Sequence, residues 1–260
     1  NGQQLTSLEG GQLTPKAILA GDKIFLSFMV EEEPQSNLYF QLLNMDLSPL
    51  GSATALASSS TSKQDFAMTI GNDGYIYYAY SEDYDITVKK INNMGDVEWS
   101  ASVVANSTDD YIKSIYAYPS SGCIIIYESA GSSSEGDHIY SLTIDANGSL
   151  QLPTLISNLS GNQYYESSAL TELGIFISFK DNSSGNYDVY GQHIKFNGDL
   201  DFNLSGEAIA SGTGDQSLSS LSYDPGRNDV LVCYEFANGS NRGVNCNQIG
   251  LDPLLIDPPI

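Results

Sequence analysis

The chain repeats itself, and that limits its folds more than any other feature. Gly2, Gly51, Gly95, Gly148, Gly198 and Gly250 fall 44 to 53 residues apart. A short strand led by an aliphatic residue precedes each of the last five: Leu38–Leu43, Ile86–Ile91, Ile139–Ile144, Val189–Ile194 and Val244–Ile249. A period of this length belongs to arrays in which one supersecondary unit buries its faces against its neighbours.

Three more strands complete the unit. Apolar runs bounded by Gly, Pro, Asn and Asp read as a strand c at Ile24–Phe28, Tyr75–Ala79, Cys123–Tyr127, Ile175–Phe179 and Val230–Tyr234. A weaker strand b precedes each c, and the weakest, strand a, falls at 53–57, 100–105, 154–157 and 207–211. No segment keeps a helical apolar period. Four-stranded antiparallel sheets repeated radially are propeller blades. The expectation is an all-β, five-bladed β-propeller occupying 1–250, with blades near 3–45, 46–93, 94–145, 146–195 and 196–249. An open solenoid or a sandwich array is the alternative. Residues 251–260 follow as an extended, Pro-rich apolar tail.

The net charge of −22 arises from a shortage of bases: 10 Lys and Arg against 32 Asp and Glu. Phosphate-directed nucleic-acid binding is excluded on that balance, as is attraction to anionic membranes. No apolar run reaches the roughly 20 residues of a membrane span. No signal peptide opens the chain, as in a mature secreted form. Ser, Asn, Thr, Gly and Tyr supply the polar surface, which suits a secreted or cell-surface protein. Six Asn-x-Ser/Thr acceptors add to that reading: Asn106, Asn147, Asn158, Asn182, Asn203 and Asn238. Asn106, Asn158, Asn182 and Asn238 fall in a–b and c–d loops, which share one face of a propeller. Cys233 and Cys246 mirror each other across a hairpin and read either as a disulfide or as two buried thiols. Cys123 reads as a core thiol.

The chemistry-bearing residues are sparse. His138 and His193 are the only histidines; neither accompanies a nucleophile elbow, and both read as solvent-facing. A propeller glycosidase needs facing carboxylates on its innermost strands. With strand a taken as innermost, only Glu98 and Glu207 lie near. Asp85, Asp137 and Asp188 precede strand d among other oxygen donors. Such loops suit Ca²⁺, but the plainer reading is an Asp capping its own turn. Loop tyrosines such as Tyr84, Tyr164 and Tyr165 offer faces for sugar rings.

Val189-Tyr190-Gly191-Gln192-His193-Ile194 with Asn197-Gly198, then Gly206-Glu207-Ala208-Ile209, resembles a repeat of secreted, surface-associated propeller proteins. The other units match more loosely: Tyr140 keeps the Tyr and Gln41 the Gln, while Thr87 and Asn245 depart. The resemblance implies a secreted propeller with no shared catalytic residues. The resulting expectation is a non-enzymatic, glycosylated building block of a surface layer, fibre or filament, without metal or cofactor. It would self-associate through tail residues Leu251, Leu254, Leu255, Ile256 and Ile260. A carbohydrate-binding, lectin-like propeller is the second reading, and a propeller glycoside hydrolase the third.

Overall fold

The computed structural model describes residues 4–32, 35–59, 61–83, 85–103, 109–131 and 136–251. All regular elements among them are β-strands, and every described pairing is antiparallel. The first sheet is β1 (Gly11–Ala20), β2 (Lys23–Glu32), β3 (Gln35–Asn44) and β4 (Pro49–Ala57), in that spatial order. The second is β5 (Lys63–Ile70), β6 (Ile76–Glu82), β7 (Asp85–Ile91) and β8 (Val97–Val103). The third is β9 (Asp110–Ala117), β10 (Cys123–Ser129), β11 (His138–Ile144) and β12 (Thr154–Leu155). The fourth is β13 (Gln163–Leu170), β14 (Gly174–Asp181), β15 (Asp188–Lys195) and β16 (Glu207–Ala210). The fifth holds three strands: β17 (Asp215–Asp224), β18 (Asp229–Asn238) and β19 (Asn241–Gly250).

The sheets correct the phase of the expected units, which ended near 45, 93, 145 and 195. The strand expected to open each of the last four units is the fourth strand of the sheet before it. The reason is the turn after the third strand. Leu47, Gly95, Gly148 and Gly198 each donate their N–H to the carbonyl three residues back, on Asn44, Asn92, Asp145 and Lys195. Those same four residues donate to the carbonyl four residues on, closing a tight hairpin each time. A hairpin returns the chain beside the strand it has just left. Ala53, Ala55 and Ala57 therefore lie on β4, Ser102 on β8 and Ala208 on β16. These are outlying edges, and β4 and β8 are mostly exposed.

The chain divides into two compact units, Asn1–Ser129 with Leu142–Pro153, and Ala130–Ser141 with Thr154–Ile260. In the first unit β5 packs against both β1 and β9; in the second β13 packs against β17. First strands thus form the edge at which successive sheets meet. The second strands β6, β10 and β14 are buried on both faces, whereas β18 alternates between buried and exposed residues. In the first unit Phe25, Leu38, Phe66, Tyr78 and Ile91 belong to one core. In the second, Phe176, Val189, Val230, Val232 and Leu251 do. Gly191 is needed for that packing, since a Cβ there would lie 2.5 Å from Phe176 and 2.9 Å from Ile209.

The repeated hairpin contains one misfit. Gly95, Gly148 and Gly198 hold φ of 93°, 86° and 90°, and Leu47 holds 68° in the equivalent place. A left-handed leucine is strained, and Leu47 is 43% exposed, so little packing compensates. Leu47→Gly is expected to stabilise the protein by about 0.5–1 kcal/mol. A denaturant titration checks this; an unchanged or lower midpoint would mean that the leucine contributes more than its backbone costs.

Candidate functional site

The first strands share a second feature that no sequence pattern announced. Each carries a β-bulge against its second strand. The pairing skips Thr14-Pro15 on β1, Gln64-Asp65 on β5, Lys113 on β9, Glu166 on β13 and Leu218-Ser219 on β17. A bulge re-aims its side chains out of the regular alternation. Here it does so along the edge where sheets pack, and on β5, β9 and β13 the bulge residues include the charged Asp65, Lys113 and Glu166.

In the first unit the Lys16 ammonium reaches the Phe66 carbonyl and lies 4.7 Å from the centre of the Phe66 ring. Burial lowers the Lys16 pKa, with the Asp65 charge opposing. Lys113 pairs with Glu128 at 2.9 Å. Asp110, the first residue of β9, is 1% exposed. Burial is the main cause that pushes its carboxyl up to about 6, helped by the charges of Asp85 and Asp109 and opposed by the Ser129 hydroxyl. In the second unit Glu166 accepts the backbone N–H of Ser219, the bulge residue of β17. Its other oxygen lies 3.6 Å from the Lys180 ammonium. That ammonium stands 5.0 Å from the Tyr187 ring and 5.5 Å from the Tyr164 ring. Glu166 therefore ties two sheets together and anchors a cation among aromatic faces.

A shallow cleft of about 330 Å³ lies elsewhere in the first unit, lined by Tyr75, Lys90, Glu98, Trp99, Ala146 and Asn147. The Trp99 indole donates to the Ala146 carbonyl at 2.9 Å. Lys90 lies 4.2 Å from the Tyr75 ring centre and pairs with Asp73 at 2.9 Å. The cleft thus joins aromatic faces to charged donors and acceptors.

The remaining sequence candidates fall as follows. Asn147, Asn158, Asn203 and Asn238 are exposed; Asn182 is half-buried and its side-chain oxygen accepts the Asn162 N–H. Asn106 lies outside the described residues, as do Tyr84, Leu254, Leu255, Ile256 and Ile260. Leu251 is buried in the second unit's core, and its N–H meets the Asn228 carbonyl. Cys233 and Cys246, directly opposed on β18 and β19, are joined by a disulfide. Cys123 is a free buried thiol whose pKa burial raises. Glu98 and Glu207 are exposed on β8 and β16.

His193 is not solvent-facing. It is 1% exposed, with Nδ1 3.0 Å from Asp201 and Nε2 2.9 Å from the Thr171 hydroxyl. The order of groups is that of a nucleophile–base–acid triad, but the Thr171 hydroxyl donates to the Gly174 carbonyl and accepts the Gly174 N–H. The arrangement braces the β13–β14 turn against the segment after β15. Burial works to raise the Asp201 carboxyl, yet the hydrogen bonds and charges of Lys195 and His193 outweigh it and hold it below its usual range.

No known protein family and no curated protein matches the chain in sequence. Solved structures do resemble it. An endo-arabinase from Bacteroides thetaiotaomicron is 10% identical, with 92% of this chain and 94% of that one covered and a TM-score of 0.41. The catalytic domain of a GH62 α-L-arabinofuranosidase from Coprinopsis cinerea is 12% identical over 92% and 90%, at 0.40. A GH43 β-1,3-galactosidase with galactodeoxynojirimycin is 10% identical over 80% of each chain, at 0.46. At these scores no residue role is carried across. The names of these neighbours are those of carbohydrate-cleaving enzymes. The expectation of a non-enzymatic, glycosylated building block of a layer, fibre or filament is corrected, since the reason against an enzyme fails: strand a is not the strand at which the sheets meet.

Asp110 gives the site a stability signature. Its folded pKa of about 6 lies above the ordinary 3.8. The native state therefore holds a proton more tightly than the unfolded chain, and stability falls as pH rises from about 4 to 6. Asp110→Asn removes the charge and is expected to stabilise the protein above that window, by ~2–3 kcal/mol at most, with little effect near pH 4. Melting curves at the two ends of the range check this. Equal destabilisation at both would show that the carboxylate is wanted where it stands.

Proposed function

We propose that the five sheets are the blades of a five-bladed propeller and that the chain is a glycoside hydrolase acting on a polysaccharide. The supporting observation is a buried carboxyl with a pKa of about 6 on a first strand, the edge at which neighbouring sheets pack. Glycoside cleavage needs one carboxylic acid that stays protonated near neutral pH and one carboxylate that stays ionised. Asp110 fits the acid. Asp65, exposed at the β5 bulge of the same unit, is the second carboxyl group we assign. In the second unit Glu166 is a further carboxylate at a bulge, with Lys180 beside it. The disulfide supports an oxidising, extracellular compartment.

A carbohydrate-binding module without turnover is the second reading. The Tyr75–Trp99 cleft favours it, since aromatic faces beside charged hydrogen-bonding groups suit sugar rings.

The neighbours' names supply the first substrates to try: arabinan, arabinofuranosyl-substituted chains and β-1,3-galactan. Reducing sugar should be released from at least one. Asp110→Asn and Asp65→Asn should each lower kcat by a factor of about 100 or more, and wild-type activity should fall as pH rises past about 6. A folded protein that releases nothing from the panel would refute the hydrolase reading. Retardation of the same polymers in a gel, lost in Trp99→Ala, would then establish the binding reading.

A further inference from the structure

The second and fourth sheets hold matching rows at one end, two carboxylates in each, beside a lysine in the second and a glutamine in the fourth. In the second sheet Lys63, Glu82 and Asp85 stand directly opposite one another across β5, β6 and β7. In the fourth, Gln163, Asp181 and Asp188 occupy the corresponding places across β13, β14 and β15. Directly opposed residues on neighbouring strands share a face of the sheet. The second sheet's row carries its own cation: the Lys63 ammonium, almost fully buried, lies 2.8 Å from Glu82.

The fourth sheet has the carboxylates without the lysine. Gln163, Asp181 and Asp188 are 0%, 1% and 3% exposed. Asp188 is provided for: Oδ2 accepts the Ser184 hydroxyl, and Oδ1 accepts the Asn186 amide and the Gly212 N–H. Asp181 accepts the Ser183 N–H on Oδ1, while Oδ2 is buried with no hydrogen-bond partner. Gln163 repeats the pattern with a neutral group. Its amide nitrogen donates to the Ser157 and Leu159 carbonyls, which sets the orientation of the amide and leaves Oε1 buried without a partner. Lys180, the nearest base in sequence, alternates to the other face and serves Glu166.

We propose that the row Gln163–Asp181–Asp188 binds a calcium-class divalent cation, which does in the fourth sheet what the Lys63 ammonium does in the second. Two carboxylates and an amide carbonyl are hard oxygen donors, which suit Ca²⁺ and not the softer metals. A buried carboxylate oxygen left unpaired is costly, and a cation removes that cost. The ion ties β13, β14 and β15 together at one end, so its effect is on stability. The proposal does not depend on the hydrolase reading, and activity is not its readout.

The test uses the full chain, melted in Ca²⁺ and in chelator, with Tb³⁺ luminescence excited through tyrosine as a direct binding signal. The midpoint should rise by ~5 °C in saturating Ca²⁺, and Tb³⁺ emission should be displaced by Ca²⁺. Asp181→Asn should lose both. Gln163→Lys imports the second sheet's solution: its midpoint in chelator should exceed that of the wild type, and Ca²⁺ should no longer move it. If the wild type shows neither shift nor emission, no ion binds and the proposal is wrong. If both variants still respond as the wild type does, the ion sits elsewhere and the proposal is equally wrong. Should Asp181→Asn fail to fold, Gln163→Lys decides alone.

Discussion

The structure depends on strands that water reaches on neither face. Along β6, Ile76, Tyr77, Tyr78 and Ala79 are all fully buried, although successive side chains point to opposite sides. The same holds for Cys123 to Ile126 on β10 and Ile175 to Ile177 on β14. Such a strand exists only where each face has something to pack on, so no sheet of this kind is stable alone. The burial also forces pairing on the polar groups among them. Within the first unit Ser27 meets the Tyr78 hydroxyl at 2.9 Å, and Ser81 takes the Ile112 N–H at 2.8 Å. Within the second, Ser178 meets Ser219 at 2.7 Å. Each contact joins one sheet to the next, so the polar atoms tolerated in the interior also fix how sheets sit within each unit.

The bulges on the first strands follow from the same demand. Two edge strands that pack side by side cannot both keep a regular pleat and satisfy the groups they bury. A residue lifted out of register solves this by reaching across. Glu166 reaches the Ser219 N–H in this way, and Lys16, the first paired residue after the β1 bulge, reaches the Phe66 carbonyl. The positions that hold the sheets together are thus the ones that bring Asp65, Lys113 and Glu166 to the packing edge. Structural and chemical demands coincide there, which is why substitution at Glu166 tests stability as well as function.

Much of this was legible in advance, for physical reasons. Second strands stand out because burial on both faces leaves an unbroken apolar run such as Cys123 to Ile126. The count of units followed from them. Their phase did not, although Asn197-Gly198 carried it: a tight Asn-Gly turn pairs the strand after it with the strand before it, so β16 belongs with β15. Taking strand a as the opening strand moved the search for carboxylates to β4, β8 and β16, away from Asp65, Asp110 and Glu166. The bulges were invisible because they are properties of register between two strands, and no composition encodes register. His193 was misplaced for a related reason, since its partners lie 22 and 8 residues away and meet it only once β13 and β15 flank β14.

The scarcity of bases takes on a different meaning in the folded chain. Sequence balance alone says that acids outnumber them 32 to 10. The structure shows where the few are used. Lys16 and Lys89 donate to backbone carbonyls, while Lys63, Lys90, Lys113, Lys180 and Lys195 each face a carboxylate that is at most 22% exposed. Of the ten bases only Lys23, Arg227 and Arg242 stand outside these roles. A chain that assigns lysines so sparingly makes a buried carboxylate without one a distinctive position. Asp110 meets that condition by holding its proton up to about pH 6. Asp181 stands almost fully buried in a row where the second sheet has a lysine and the fourth has Gln163. A buried acid denied both a protein cation and enough hydrogen-bond donors has two ways to lose its charge cost, a proton or an ion from solution. A titrating group suited to acid catalysis and a group suited to cation binding are the two outcomes of that one shortage.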